Sequence, residues 1–280
     1  MAMHMVFRLW PLFIGLALIG LAVGVQGSLL GIRAEIEGFD DYLIGLLMSC
    51  YFAGFLAGSR LTPKMIQRVG HIRIFAALSA VASVSILIHA IYVNPWAWAL
   101  MRLLTGFAFS TIYVVSESWL NQASTNANRG QILAIYTAIL LSGICAGQFM
   151  LNIADPADST LFMLISVMVS VAAVPILLSV IATPPLEETE RVSIMHLWRR
   201  TPMGVTGIVL SQWVSSILFG MGAVYATKLG FSIYQVANFM GAMMAGGMIF
   251  PWPLGKISDV VDRRWVMGYS CLAAVVVAII

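Results

Sequence analysis

The sequence predicts an all-α integral membrane protein, and three observations carry that prediction. Of its 280 residues, 60% are hydrophobic and only 10% are charged, against roughly 25% charged in soluble domains. Mean hydropathy is +0.94, and the apolar residues gather into runs of about 20, the length a helix needs to cross the hydrocarbon core. Lysine and arginine also segregate to alternate connections between those runs. Lipid cannot satisfy bare backbone N–H and C=O groups, so each run is expected to be a helix.

Nine spans are expected, at 8–30, 43–61, 73–93, 96–119, 131–152, 160–182, 204–226, 233–252 and 265–280. The first follows Arg8 and runs on to Leu30, too long for a signal-peptide core. The second and third are divided by a basic stretch with Arg60, Lys64, Arg68 and Arg73. The fourth contains an arginine, Arg102, and the fifth follows Arg129. After the sixth comes the longest connection, residues 184–203, with Glu187, Glu188 and Glu190 as surface charges and an amphipathic stretch from Val192 to Arg200. The ninth run reaches Ile280 without a polar flank, which reads as a chain cut within its second half.

The charges set an orientation. Twelve of the 15 basic residues fall on the N-terminal side of the membrane, which makes that side cytoplasmic by the Lys/Arg rule. Arg33 and Lys228 lie opposite, among Glu35, Glu37, Asp40, Asp41, Asp155 and Asp158. The basic residues are spread over five short segments, so a nucleic-acid partner is not expected. Cys50, Cys145 and Cys271 lie in apolar runs, and His4, His71, His89 and His196 are scattered. Neither a disulfide framework nor a metal site is expected. No phosphate-binding loop and no nucleophile-base arrangement is recognisable, so neither ATP, nor another cofactor, nor an enzymatic activity is expected.

The chain also repeats. A shift of 192 residues places Gly38-Phe39-x-x-Tyr42 on Gly230-Phe231-x-x-Tyr234, and Ala53-Gly54, Lys64 and Val69 on Ala245-Gly246, Lys256 and Val261, without a gap. Two parallel six-helix halves around a central site is one plan for transporters.

The loop motifs carry a resemblance. Gly255-x-x-x-Asp259-x-x-Asp262-Arg263-Arg264 resembles the cytoplasmic signature of the major facilitator superfamily, with Asp262 in place of its second glycine. A degenerate first-half copy keeps Arg68, Gly70 and the basic pair His71 and Arg73, but has Pro63 and Gln67 at the first glycine and acidic positions. Arg102-x-x-Thr105-Gly106 resembles the family's Arg-x-x-x-Gly motif in the fourth helix. Val115-Ser-Glu117-Ser-Trp119-Leu-Asn121 with Asn128-Arg-Gly130 is similar to a bacterial branch of it, the YcaD-like permeases. The resemblance implies an N-terminal six-helix half over 1–183, a central cytoplasmic loop over 184–203, and about three helices of a second half over 204–280.

It also implies roles. Gly255, Asp259, Arg263 and Arg264, with Arg68, Gly70 and Arg73, would form cytoplasmic latches that break as the halves rock. Glu117, deep in the fourth helix, is either a partner for Arg68 or Arg73 or an acid wetted at the interface. Arg102 lies about 10 Å into its helix, where an ionised group is costly. It either faces a cavity or gate, or snorkels outward. Gln26, Ser110, Tyr113, Gln212 and Trp213 are candidate cavity residues, with Gln148 and Asn238 as further contributors. Interhelical hydrogen bonding is the alternative for each. Glycines at Gly54, Gly58, Gly241, Gly246 and Gly247 read as close-packing positions, and a drug-antiporter signature in the fifth helix is half present, as Gly143 and Gly147.

The function this implies is a permease of a bacterial inner membrane that moves a small solute by alternating access. Membrane lipid is its surroundings, and a proton is the coupling ion to be considered. The alternative is a sensor or scaffold of the same fold that does not transport.

Overall fold

The computed structural model describes residues 9–179 and 194–279, without the side chains of Ile194, Asp259, Arg263, Ala278 and Ile279. Among those residues it is helical, with no strand. In chain order the helices are α1 Trp10–Ile36, α2 Asp41–Val69, α3 His71–Ile91, α4 Pro95–Ala123, α5 Arg129–Phe149, α6 Thr160–Ala172, α7 Val174–Leu178, α8 Ile194–Arg200, α9 Pro202–Lys228, α10 Ile233–Ile249, α11 Pro251–Val260 and α12 Arg263–Ile279. A 3₁₀ turn at Met150–Asn152 extends α5.

Eight spans are long and apolar enough to cross a membrane, with α6 and α7 forming one and α10 and α11 another. The ninth expected span, α12, has 17 residues and falls short of that length. The expected surface charges Glu187, Glu188 and Glu190 lie outside the described residues, and of the amphipathic stretch only α8 is within them.

The spans run further than composition alone marks. The second continues through Pro63 to Val69, carrying Arg60, Lys64 and Arg68 on helix rather than in a loop. An apolar window stops where lipid stops, whereas the backbone ladder can continue into water. The α2–α3 connection is then the single residue Gly70, whose φ of +87° is cheap only for glycine.

The helix ends show why the chain turns where it does. Asn94 precedes Pro95, and its side-chain Oδ1 accepts from Trp96 N and Ala97 N at 3.0 and 3.2 Å. The proline fits the first helical position because its missing N–H would be unpaired there anyway. Asn94→Ala should cost about 1 kcal/mol and lower the thermal midpoint of the purified protein, while Asn94→Asp should leave it near the parent. Between α6 and α7, Pro175 cannot donate to the carbonyl four residues back, and the ladder tightens to an Ala173 N–H to Ser170 O bond of 3.3 Å.

The 192-residue repeat is also a repeat of geometry. After α1, the N–H groups of Glu37, Gly38 and Phe39 donate to Arg33, Glu35 and Ala34. After α9, those of Leu229, Gly230 and Phe231 donate to Tyr225, Thr227 and Ala226. Every donor and acceptor is displaced by the same 192 positions, and the two glycines have φ of +73° and +81°. The following caps, Asp40 and Ser232, are also equivalent.

Helix α1 is the hub. It packs on α5, α6, α7 and α9 and is apolar all round, as expected for a helix enclosed by others. Close approach rests on glycine. A Cβ on Gly24 would lie 2.2 Å from Ile144 O, and one on Gly147 2.4 Å from Leu21 O. In the α2–α4 pair, Cβ atoms on Gly54 and Gly106 would each lie 2.0 Å from a backbone oxygen, of Leu103 and Tyr51. Gly143 and Gly147 are thus packing positions on the α1–α5 crossing. Gly246 and Gly247 do not approach another helix in this way, and Gly241 faces the ring of Phe149.

The connections define two faces of the bundle. The acidic face carries Glu35, Glu37, Asp40, Asp41, Asp155 and Asp158, and the basic face carries Arg60, Lys64, Arg68, Arg73 and Arg129. Helix α9 is held unevenly between them. Its buried residues, Gly220, Gly222, Ala223, Val224 and Ala226, all lie in the third nearest the acidic face. On α10 they are Val236, Ala237, Met240 and Gly241, in the half nearest that same face.

Candidate functional site

Arg102 is brought to the α2–α4 interface by the glycine contacts that let those backbones nearly touch. It is 2% exposed and so does not snorkel to the surface. Its guanidinium carbon lies 4.4 Å from the centre of the Tyr51 ring, and Nη2 donates to Met48 Sδ at 3.5 Å. Nε has no hydrogen-bond partner. Ring contacts continue along α2 and α4 from Tyr51 to Phe55 and from Phe55 to Tyr113, each at 6.2 Å between centroids. Arg102 and Tyr113 are 11 positions apart, about three turns, so they share one stripe of α4.

The other expected cavity residues divide. Gln26, Ser110 and Tyr113 each bring a buried polar atom that has no partner: Nε2, Oγ and the phenol oxygen. Gln148 is an interhelical bond instead, accepting from Ser28 Oγ at 2.6 Å and donating to Gly24 O at 2.8 Å. Gln212 and Trp213 are exposed on α9 and are not brought to Arg102. Asn238 on α10 is partly buried, with no polar contact to that group.

Among the described residues Arg68 and Arg73 form no ion pair. Arg68, Arg73, Gly255 and Arg264 are exposed, and the side chains of Asp259 and Arg263 are outside the described residues. Glu117 does not pair with Arg68 or Arg73; Tyr136 donates to its Oε1 at 3.1 Å. His71 of the degenerate motif is buried against α4, with Nε2 3.2 Å from Ser118 Oγ and its ring 6.1 Å from that of Trp119. Asp262, the departure from the motif's second glycine, accepts from Arg264 N at 2.9 Å and caps α12.

The acidic face holds a cluster that single-residue reasoning missed. Lys228, at the end of α9, bonds to Asp41 at the start of α2 and lies 3.7 Å from Glu35 at the end of α1. Arg33 pairs with Glu37 at 2.5 Å and donates to Pro156 O, in the α5–α6 connection, at 3.3 Å. The signal was present as two lone cations among six acids on that side. Next to it, Trp98 packs between Phe39 and His89, with ring centroids 5.2 and 5.4 Å away and ring planes inclined at 60° and 61°.

The family model for the Major Facilitator Superfamily matches residues 12–280. An uncharacterized MFS-type transporter of Enterobacter sp. (strain 638) is 30% identical over 258 residues, which cover 91% of this chain and 68% of the relative. The uncharacterized MFS-type transporter YcaD of Escherichia fergusonii is 28% identical over 255 residues, 90% of this chain and 67% of the relative. Among solved structures, the nucleoside transporter NupG superposes with a TM-score of 0.69 at 12% identity, over 91% of this chain and 68% of that one. At that identity the likeness shows the fold alone.

Proposed function

The chain belongs to the major facilitator superfamily, a multi-pass membrane transporter family, and from that premise we propose that it is a permease moving a small solute by alternating access. The proposed plan is a six-helix half over 1–183, a connection over 184–203 and the first helices of a second half over 204–280. The basic face is proposed to be cytoplasmic in a bacterial inner membrane, from the Lys/Arg distribution. The observation that carries the mechanism is the uneven hold on α9. It is tied to α1 and α2 by Lys228, Glu35 and Asp41 at the acidic face, and is exposed along the rest of its length. That ion cluster supports a bundle closed at its acidic face.

The solute path is proposed to pass the α1–α2–α9 seam beside Arg102, with Gln26, Ser110 and Tyr113 as polar lining. The reading as a sensor or scaffold explains these buried, unpartnered polar atoms less well, since a scaffold gains nothing from them and their burial is costly. No described acid lies near the middle of a span, so the coupling ion is not assigned to any residue here.

Two experiments test this reading. Counterflow of labelled solutes into liposomes carrying the full-length protein should show protein-dependent exchange, and no exchange of any solute by folded protein would favour the scaffold. The second test addresses the closed face. With Cys50, Cys145 and Cys271 replaced by serine, a cysteine at Met48 should react slowly with an impermeant maleimide added from the acidic side. Lys228→Glu should raise that rate several-fold by setting a third negative charge beside Glu35 and Asp41, and adding Asp41→Lys should restore slow labelling. Unchanged labelling would show that the cluster does not hold the face shut.

A further inference from the structure

Arg102 is a cation without an anion. A guanidinium offers five N–H donors in a fork that matches an oxyanion. Among the described residues it makes one hydrogen bond, to a thioether, which is a weak acceptor. The face of Tyr51 supplies the remaining attraction. Among the described residues the guanidinium makes no ion pair with a carboxylate. The nearest acids in the sequence of α2, Asp40 and Asp41, lie at its start, about 10 Å towards the surface from Met48.

The weak partner is also the movable one. Met48 fills the seam where α1, α2 and α9 meet. Its Cβ lies 3.3 Å from the position of a Cβ on Gly220, and its Cε 3.5 Å from that of a Cβ on Gly31. It therefore stands between Arg102 and the seam. Methionine is unbranched, with rotatable bonds along its whole length, so a rotamer change would expose the guanidinium while the backbones stay in place. Beyond Arg102 the stripe formed by Tyr51, Phe55 and Tyr113 presents rings, with the unpartnered Tyr113 hydroxyl at its far end.

We infer that Arg102 is the docking point for the oxyanion of an amphiphilic solute, a carboxylate or phosphonate on a flat apolar body, with Met48 as its displaceable cover and Tyr51 and Phe55 as the surface for the body. This rests on the transporter reading and names the substrate class for it. The oxyanion replaces the thioether and takes two N–H donors at once, which a neutral solute of the same shape cannot do.

The test uses full-length protein in neutral detergent and in nanodiscs of phosphatidylcholine, with benzoate and phenylphosphonate as probes and benzamide as the uncharged match. Binding followed by intrinsic fluorescence and thermal shift should favour the two acids over the amide by at least tenfold. Arg102→Gln should reduce that preference below twofold. Arg102→Lys, which keeps the charge and loses the fork, should keep the preference with weaker affinity, and it serves if the glutamine variant does not fold. Equal binding of acid and amide, or an acid preference that survives Arg102→Gln, overturns the assignment. So does stabilisation by phosphatidylglycerol nanodiscs with no response to the two acids, which would make this a lipid-headgroup site. Counterflow with the same probes separates the two readings. Acid binding without movement leaves the site standing and counts against transport, and movement of benzamide without acid preference does the reverse.

Discussion

Arg102→Met should make the solute-free protein more stable while removing solute exchange. Burying an ionised side chain costs several kcal/mol in effective terms, and that cost is recovered only by good partners. Arg102 has one ring face and one thioether. Methionine has similar length and flexibility, and its sulfur can take over the contact with Tyr51. Replacing a poorly compensated buried charge by an apolar residue of similar volume stabilises by about 1–4 kcal/mol in favourable cases, and losing a desolvated cation–π contact offsets about 2 kcal/mol of that. Thermal unfolding of parent and variant without added solute measures the difference. A lower midpoint in the variant would show that the guanidinium serves the fold, and would weaken its assignment to the solute path.

The second large effect is at Gly106. A Cβ there would meet Tyr51 O at 2.0 Å and the Tyr51 carbonyl carbon at 2.8 Å. These are backbone atoms, which cannot rotate away, so α2 and α4 would have to separate along the whole interface. Helices in lipid associate largely through such close approach, because lipid is as apolar as leucine and gives no hydrophobic drive. Overpacking a core commonly costs about 1–3 kcal/mol where side chains can shift, and here they cannot. Gly106→Leu should therefore fail to accumulate as folded protein, as judged by the monodisperse fraction on size exclusion. Gly130→Ala is the control: a Cβ there meets nothing within 4 Å, and the variant should match the parent or gain slightly from helix propensity.

Much of the fold was legible because lipid constrains a sequence strongly. Runs of apolar residues had to be helices, and the equivalence of the Gly38 and Gly230 segments was legible from their 192-residue spacing. Depth along a helix was legible too, as for Arg102, because rise per residue is constant. Direction around a helix was not. In a helix apolar on every side no stripe marks the packed face, so sequence could not tell that Gln148 bonds Ser28, or that Gln212 and Trp213 stay exposed while Gln26 is buried. Pairings between distant elements were equally hidden. Lys228 meets Asp41 across 187 positions, and Glu117, for which an arginine partner and simple wetting were the two expectations, is exposed and accepts from a tyrosine on the next helix. The cytoplasmic signature was read from its letters, yet Asp262 serves there as a helix cap.

The uneven hold on α9 has a mechanical consequence. Its close approaches to α1 and α2 include Phe219, Gly220 and Val224. The stretch from Pro202 to Leu218, about 25 Å long, reaches away from them to meet α12, where a Cβ on Gly207 would lie 3.2 Å from Met267 Cε. Pivoting that stretch by about 10° carries its far end through about 4 Å, on the same rise per residue. The same pivot would move Lys228, about 9 Å beyond the fulcrum, by about 1.5 Å, so a displacement among Lys228, Glu35 and Asp41 would be multiplied about threefold at Pro202. On the alternating-access reading proposed above, the helix would act as a lever whose fulcrum lies beside its charged end, coupling an electrostatic event on one face to movement on the other.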